Sequence, residues 1–381
     1  MATMRWRFPA TTEDADRRQA LARIDAFWQA IGAHTAELEG FRNQGWSAGA
    51  WLAERLSAVD PGLGWELGPD EGGQWLVITP AARRHLTPLV ELMLARAPMI
   101  PGWRFLGHRP PLPLAGAATI VEAGAARSLD GWRCEVVRGD HHMLEVRCGV
   151  PGCQGPTDVA AQRAALLATE ALLGGELHDR WTGAVRALDP AELTDAHPLE
   201  VLAERFQFER QRLLASLPRA PLTRDQAPWT LHRFNPRQRR DYHGRRDLLV
   251  GASMLPALWR CAHGGITFAS ERFSRVGEIF GYIKFDADEG FGDGGFEDRS
   301  EVEDALDLAL DEARLGCVIG GGSGLRYGYV DLALLDVEAG FEVVGRVLRE
   351  GRAPRRSWLL FFDDDLTDEW LGVWPQTPPP P

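Results

Sequence analysis

The chain has 381 residues, 45% hydrophobic and 25% charged, the balance of an ordinary globular protein of two or three domains. Its net charge of -12 is carried by residues 265–375, which hold 24 Asp and Glu against 11 Lys and Arg, a surplus that disfavours nucleic acid as a partner there. Five cysteines, Cys134, Cys148, Cys153, Cys261 and Cys317, are an odd number in a long chain and argue against a disulfide scaffold. The first eighteen residues have no apolar run behind their positive charges, and no stretch is apolar enough to cross a membrane. A reduced, cytoplasmic protein without membrane association is the expectation. Lysine occurs once, at Lys284, against 41 arginines, so arginine abundance is a compositional habit and carries little weight by itself.

Residues 13–39 place Ala20, Leu21, Ile24, Phe27, Trp28 and Ile31 at steps of three and four, which predicts a helix. A second helix is expected over 47–58 with Ser47 as N-cap, then a hairpin turning at Pro69 to Gly73. A helix from Pro80 to Ala97 and a strand from Trp103 follow. Residues 132–150 read as a hairpin turning at Arg138 to His141, and a helix begins near Val159. Residues 191–262 differ in texture: a helix around 198–216, then a proline-rich and arginine-rich stretch. From 278 the order is strand, helix (300–314, with Ser300 and Glu303 as a capping box), hairpin (317–335), helix (337–350) and strand (357–362). That order is the ferredoxin-like arrangement of an antiparallel sheet with two helices on one face. Residues 376–381 read as an extended or disordered proline-rich tail.

Both ends of the chain carry hairpin, helix, Arg-Ala-Pro and a Trp-led strand, at Arg96 to Trp103 and at Arg352 to Trp358. The expected fold is therefore α+β, with two ferredoxin-like modules related by internal duplication. The modules would span 13–190 and 263–375, joined by a helical, Arg-rich segment at 191–262. Within Trp75 to Pro110, WLVITP, a helix and RAPMIPGWRFLGHRPP resemble a bacterial family of uncharacterised domains. The resemblance covers at most the first 150 residues and implies fold and bacterial origin, with no activity to carry over.

Several clusters bear on function. DADEGFGDGGFED, Asp286 to Asp298, offers Asp286, Asp288, Asp293, Glu297 and Asp298 as hard-cation ligands, but Gly290 falls where an EF-hand needs an oxygen in either register. Its Phe291 and Phe296, with Phe285, are what a merely solvated loop would not need, and they read as anchors or as a contact surface. Gly320 to Gly324 lacks the Lys and Ser/Thr of a phosphate loop and reads as a hairpin tip, followed by alternating Tyr327, Tyr329 and Asp331. His141, His142, Cys148 and Cys153 have poor zinc spacing. Residues 229–247 interleave Arg233, Arg237, Arg239, Arg240, Arg245 and Arg246 with aromatics, the texture of single-strand nucleic-acid binding, or of a solvated face paired with the acidic module.

The leading expectation is a non-catalytic protein-binding or regulatory protein. Its partner would be another protein, contacting Phe285, Phe291, Phe296, Tyr327 and Tyr329. Nucleic acid is disfavoured, no cofactor is expected, and oligomeric state is open. The alternatives are a divalent-cation hydrolase built on the acidic loop and Asp363 to Asp365, and RNA binding through 229–247.

Overall fold

A computed structural model of the chain describes residues 4–10, 13–39, 48–70 and 72–381, so the expected Ser47 cap lies outside the described residues. The protein is a mixed α+β chain with three sheets among the described residues and two compact units, one of residues 22–81 and 90–217, the other of residues 1–21, 82–89 and 218–381.

In the first unit the apolar stripe of α1 (Asp14–Ala33) buries Ile24, Phe27, Trp28 and Ile31. The Trp28 indole donates to the Met93 carbonyl at 2.8 Å and meets Phe105 edge-on. After the short α2 (Thr35–Glu39), α3 (Ala48–Ser57) turns Leu52 and Leu56 inward. β1 (Gly64–Asp70) and β2 (Gly73–Thr79) form the expected hairpin, with the Trp75 ring lying over Gly68 directly opposite. A Cβ at Gly68 would sit 2.0 Å from that ring, so only glycine lets the indole cross the strand. The next helix, α4 (Thr87–Ala95), enters this unit from residue 90; it starts later than Pro80 because a 3-10 turn at Arg84–Leu86 precedes it. β3 (Trp103–Leu106) then pairs parallel with β2.

The unit's second core lies between α5 (Leu114–Ala125) and a sheet made of β4 (Arg133–Arg138) and β5 (Leu144–Gly149), completed by strands further along the chain. The helix α6 (Val159–Leu173) presents an alanine face, Ala161, Ala164, Ala165 and Ala168, whose small side chains allow close approach to Cys134, Val146 and Cys148. α7 (Gly175–Trp181) leads into β6 (Thr182–Leu188), and β7 (His197–Pro198) precedes α8 (Leu202–Ala215). The order is β6-β5-β4-β7.

The second unit is built on one seven-stranded antiparallel sheet. Its elements are β8 (Thr230–Arg233), β9 (Leu248–Ser253), α9 (Pro256–Gly264), β10 (Ile279–Asp286), α10 (Arg299–Ala313), β11 (Gly316–Gly324), β12 (Tyr327–Leu334), α11 (Val337–Glu350), β13 (Ser357–Phe361) and β14 (Leu371–Gly372). Their spatial order is β14-β13-β10-β12-β11-β9-β8. Because side chains alternate along a strand, the sheet has two distinct faces. On one, Ile283, Phe285, Val318, Val330, Leu332 and Leu359 pack against Val302, Leu306 and Leu310 of α10 and Val344 and Leu348 of α11. The other carries Tyr282, Lys284, Tyr327, Tyr329, Asp331 and Trp358, covered by α9 and by irregular chain including Tyr242, Phe268 and Phe273.

The two ends of the chain share the order hairpin, helix, strand but close differently. β3 pairs with β2 of its own hairpin, whereas β13 pairs with β10, a strand that intervenes between β13 and β12 and has no counterpart in the first sheet. Segment 191–262 is divided, α8 falling in the first unit and β8, β9 and α9 in the second. The cap of α10 is Asp298, whose carboxylate accepts from the Ser300 and Glu301 amides; Ser300 already lies inside the helix, so the capping box at Ser300 and Glu303 does not form. Glu303 is instead buried and paired with Arg299. The proline-rich tail is held at two points, by the Trp358 indole donating to the Pro378 carbonyl at 2.6 Å and by His243 against the Pro381 carbonyl at 3.1 Å.

Candidate functional site

β10 ends at Asp286 directly opposite Tyr327, where β12 begins, so the acidic loop and the β11–β12 hairpin tip emerge at the same end of the sheet. The Ala287 amide donates to the Arg326 carbonyl at 2.9 Å, fastening the two together. Asp286 is only 2% exposed and accepts from Arg326 Nη2 at 2.6 Å and Arg356 Nε at 3.0 Å. Arg356 Nη2 also donates to Asp241 at 2.9 Å, and the Tyr327 hydroxyl donates to the same carboxylate at 2.5 Å. Two carboxylates, two guanidiniums and a phenol thus form one closed set of donors and acceptors. Desolvation works against the Asp241 carboxylate, but the Tyr327 hydroxyl, the Tyr242 amide and the two guanidiniums outweigh it and hold its pKa below the ordinary value. Burial, reinforced by Asp241, pushes the Tyr327 hydroxyl well up.

Beneath this cluster lies the only lysine of the chain. Lys284 is fully buried, its ammonium donates to the Tyr242 carbonyl and sits 4.0 Å from the centre of the Tyr327 ring. Burial lowers its pKa to about 8, against the pull of Asp247 and Asp241 and with the help of Arg356 and Arg326. Asp247 accepts from the Tyr329 hydroxyl and from the Arg326 and Tyr327 amides. Farther along the same face, Arg245 pairs with fully buried Asp331, to which the Trp259 indole also donates at 2.7 Å.

The residues singled out in the sequence therefore have different fates. Phe285 is buried under α10 and α11, packed across the strand on Gly328, and Tyr327 and Tyr329 are buried with their hydroxyls engaged, so none of the three offers a contact surface. Phe291 and Phe296 are half-buried; Phe291 lies tilted against Phe285 and meets Phe296 edge-on, and the series pins the acidic loop to the helical face. Of the five candidate cation ligands in the loop, Asp286 is occupied by arginines and Asp298 by a helix terminus, while Asp288, Asp293 and Glu297 are exposed. Asp363 accepts from Ser270, and Asp365 from Thr87 with Arg84 alongside. Among the described residues no three His, Cys, Asp or Glu side chains gather closely enough to hold an ion, His141, His142, Cys148 and Cys153 included. Arg233, Arg237, Arg239, Arg240 and Arg246 are exposed, and Arg245 is buried.

Arg326, Arg356, Asp241 and Lys284 were not singled out. For Lys284 the signal was present: a lone lysine in a strand of otherwise apolar and aromatic residues must either reach water or be paired.

A second feature is a groove of about 290 Å³ between α10 and α11. Phe296, Ala305, Ala309 and Val347 form its apolar floor, Leu308 stands 61% exposed beside it, and the exposed carboxylates Glu312 and Glu350 form its rim. Comparison of the chain with family models, with curated proteins and with solved structures returned no match. Among the described residues no helix is long and apolar enough to cross a membrane.

Proposed function

We propose that this is a protein-binding protein whose recognition surface is the outer face of α10 and α11 together with the acidic loop that Phe296 fastens to them. The single observation that carries this reading is the groove, where a largely exposed leucine stands on an apolar floor inside an acidic rim. An apolar centre with a polar border is the ordinary anatomy of a protein interface, and a groove between two helices accepts the apolar side of an amphipathic segment. Asp288, Asp293 and Glu297 extend the negative border around the loop, so the partner segment is basic with an apolar anchor. On the same reading β10 to β13 with α10 and α11 are a ferredoxin-like module, supported by the strand order β13-β10-β12-β11 and by both helices lying on one face.

The test uses the full chain and two synthetic amphipathic peptides, one with leucines at helical spacing and arginines elsewhere, the other with glutamates replacing the arginines. Calorimetric binding of the basic peptide is expected, weakening as salt rises, and Leu308→Asp is expected to reduce it about tenfold, the equivalent of about 1.4 kcal/mol. Equal binding of the two peptides, or affinity unchanged in Leu308→Asp, would refute the reading.

A further inference from the structure

We propose that the cleft between the end of β8, the 235–248 segment and α9 binds a nucleotide, an anionic phosphate attached to a planar ring. The cleft encloses about 380 Å³, within the size range of pockets for small molecules. Arg237, Arg239, Arg245 and Arg246 line it, and its lining contains no carboxylate. That composition is unexpected in this unit, whose residues 265–375 carry the protein's whole surplus of negative charge. Arginines there would be expected to pair internally, as Arg326 and Arg356 do. The two aspartates of the segment are already engaged elsewhere, Asp241 with Arg356 and Tyr327, and Asp247 with Tyr329. The exposed guanidiniums of Arg237, Arg239 and Arg246 are left facing a cleft without a counter-charge.

Arg245 is the second observation. It is 7% exposed, one of its nitrogens is tied to Asp331, and its Nε and Nη2 have no hydrogen-bond partner. The guanidinium is held among Trp259, Tyr282, Tyr329 and Phe362 with ring centres 4.7–5.4 Å away, so it is a fixed donor group in the cleft wall whose charge Asp331 balances. Buried donors without partners lower their energy when an acceptor oxygen settles within reach.

The planar half of the ligand is specified by a different wall. Phe234 and His263 lie ring against ring, 4.2 Å between centres and 30° apart, and both face the cleft. Desolvation, with the Arg245 charge adding to it, holds the His263 pKa below its ordinary value, so the imidazole is neutral at neutral pH and acts as an aromatic surface. The walls are pre-shaped, because the Phe234 amide is tied to the Leu249 carbonyl at 2.8 Å and the Tyr242 hydroxyl accepts from the Arg239 amide at 2.7 Å. Aromatic stacking beside unpaired arginines is the general means of holding a base and its phosphate.

The experiment titrates the full chain with the four nucleoside monophosphates, the corresponding nucleosides, inorganic phosphate and a short single-stranded oligonucleotide. At least one nucleoside monophosphate is expected to bind, with its nucleoside and inorganic phosphate each at least about tenfold weaker, since each lacks one of the two halves. Arg237→Ala and Arg246→Ala are exposed changes expected to leave the thermal midpoint in place while each weakens binding severalfold. Phe234→Leu is expected to lower affinity for the nucleotide and leave that for inorganic phosphate unchanged. The proposal is overturned if no monophosphate binds at millimolar concentration, if nucleoside and nucleotide bind alike, if Arg237→Ala and Arg246→Ala both bind as the wild type does, or if only the oligonucleotide binds.

Discussion

Replacing Lys284 by methionine isolates the cost of burying the only ammonium side chain in the protein. Its pKa falls from 10.5 to about 8 on folding because burial strips its water, and Asp247 and Asp241 recover only part of the loss. A lowered pKa on a base means the unfolded chain binds this proton more tightly, so the charge opposes folding wherever both states are protonated. The penalty is therefore complete below about pH 8 and disappears as pH rises toward 10.5. With these two values it amounts to about 3 kcal/mol at about pH 7 and about 1.4 kcal/mol at about pH 9.5. Wild type should accordingly gain about 2 kcal/mol relative to Lys284→Met across that interval, whatever the absolute stability of the variant. Taking the difference between two proteins cancels other titrations, including the tyrosines Tyr282, Tyr327 and Tyr329, whose raised pKa values act above their ordinary pKa of 10. Urea unfolding of both proteins at several pH values between these limits measures the difference. Parallel stability profiles would show that the ammonium is not desolvated as its position implies.

Glu303 provides the opposite sign. Burial raises its pKa to about 7, with Arg299 and Arg224 restraining the shift, so its contribution falls as pH rises from 4.5 to 7. Glu303→Gln should gain about 3 kcal/mol over wild type between about pH 4 and pH 8, read by urea unfolding, and a constant difference would count against it. Glu369 is 2% exposed and accepts from the amides of Trp6, Arg7 and Phe8 at 2.6, 3.1 and 2.9 Å. Glu369→Ala should cost on the order of 2 kcal/mol and speed hydrogen exchange at those three amides, while unchanged exchange there would show that the carboxylate does not hold the segment.

Regular elements were legible wherever one face alone decides the pattern. The stripe at Ile24, Phe27, Trp28 and Ile31 marked α1, and the strand, helix, hairpin, helix and strand from 278 onward match β10 to β13 within one or two residues at most boundaries. The start of α10 was misplaced because Asp298 and Ser300 are both good caps, and only the geometry shows which of them accepts the free amides. The phenylalanines of the acidic loop were legible as something a solvated loop would not need, but whether they faced a partner or the core depended on helices far along the chain.

What the sequence determined by itself was local: helix faces, the order of strands and helices, the surplus of negative charge in residues 265–375, and the alternation that puts Tyr327, Tyr329 and Asp331 on one side of a strand; the tip read at Gly320 to Gly324 lies instead inside β11, and the turn falls at Leu325 and Arg326. Tertiary structure decided which charges meet. Arg326 and Arg356 close on Asp286 and Asp241, Arg245 reaches Asp331, and Arg237, Arg239 and Arg246 are left around a cleft, although all are the same residue type in one arginine-rich chain. The reason is physical: a helix or strand pattern records burial with a short period, whereas an ion pair joins residues far apart in the chain, 115 positions for Arg356 and Asp241. Its strength is set by distance and by the water removed around it, and neither exists until the sheet has assembled.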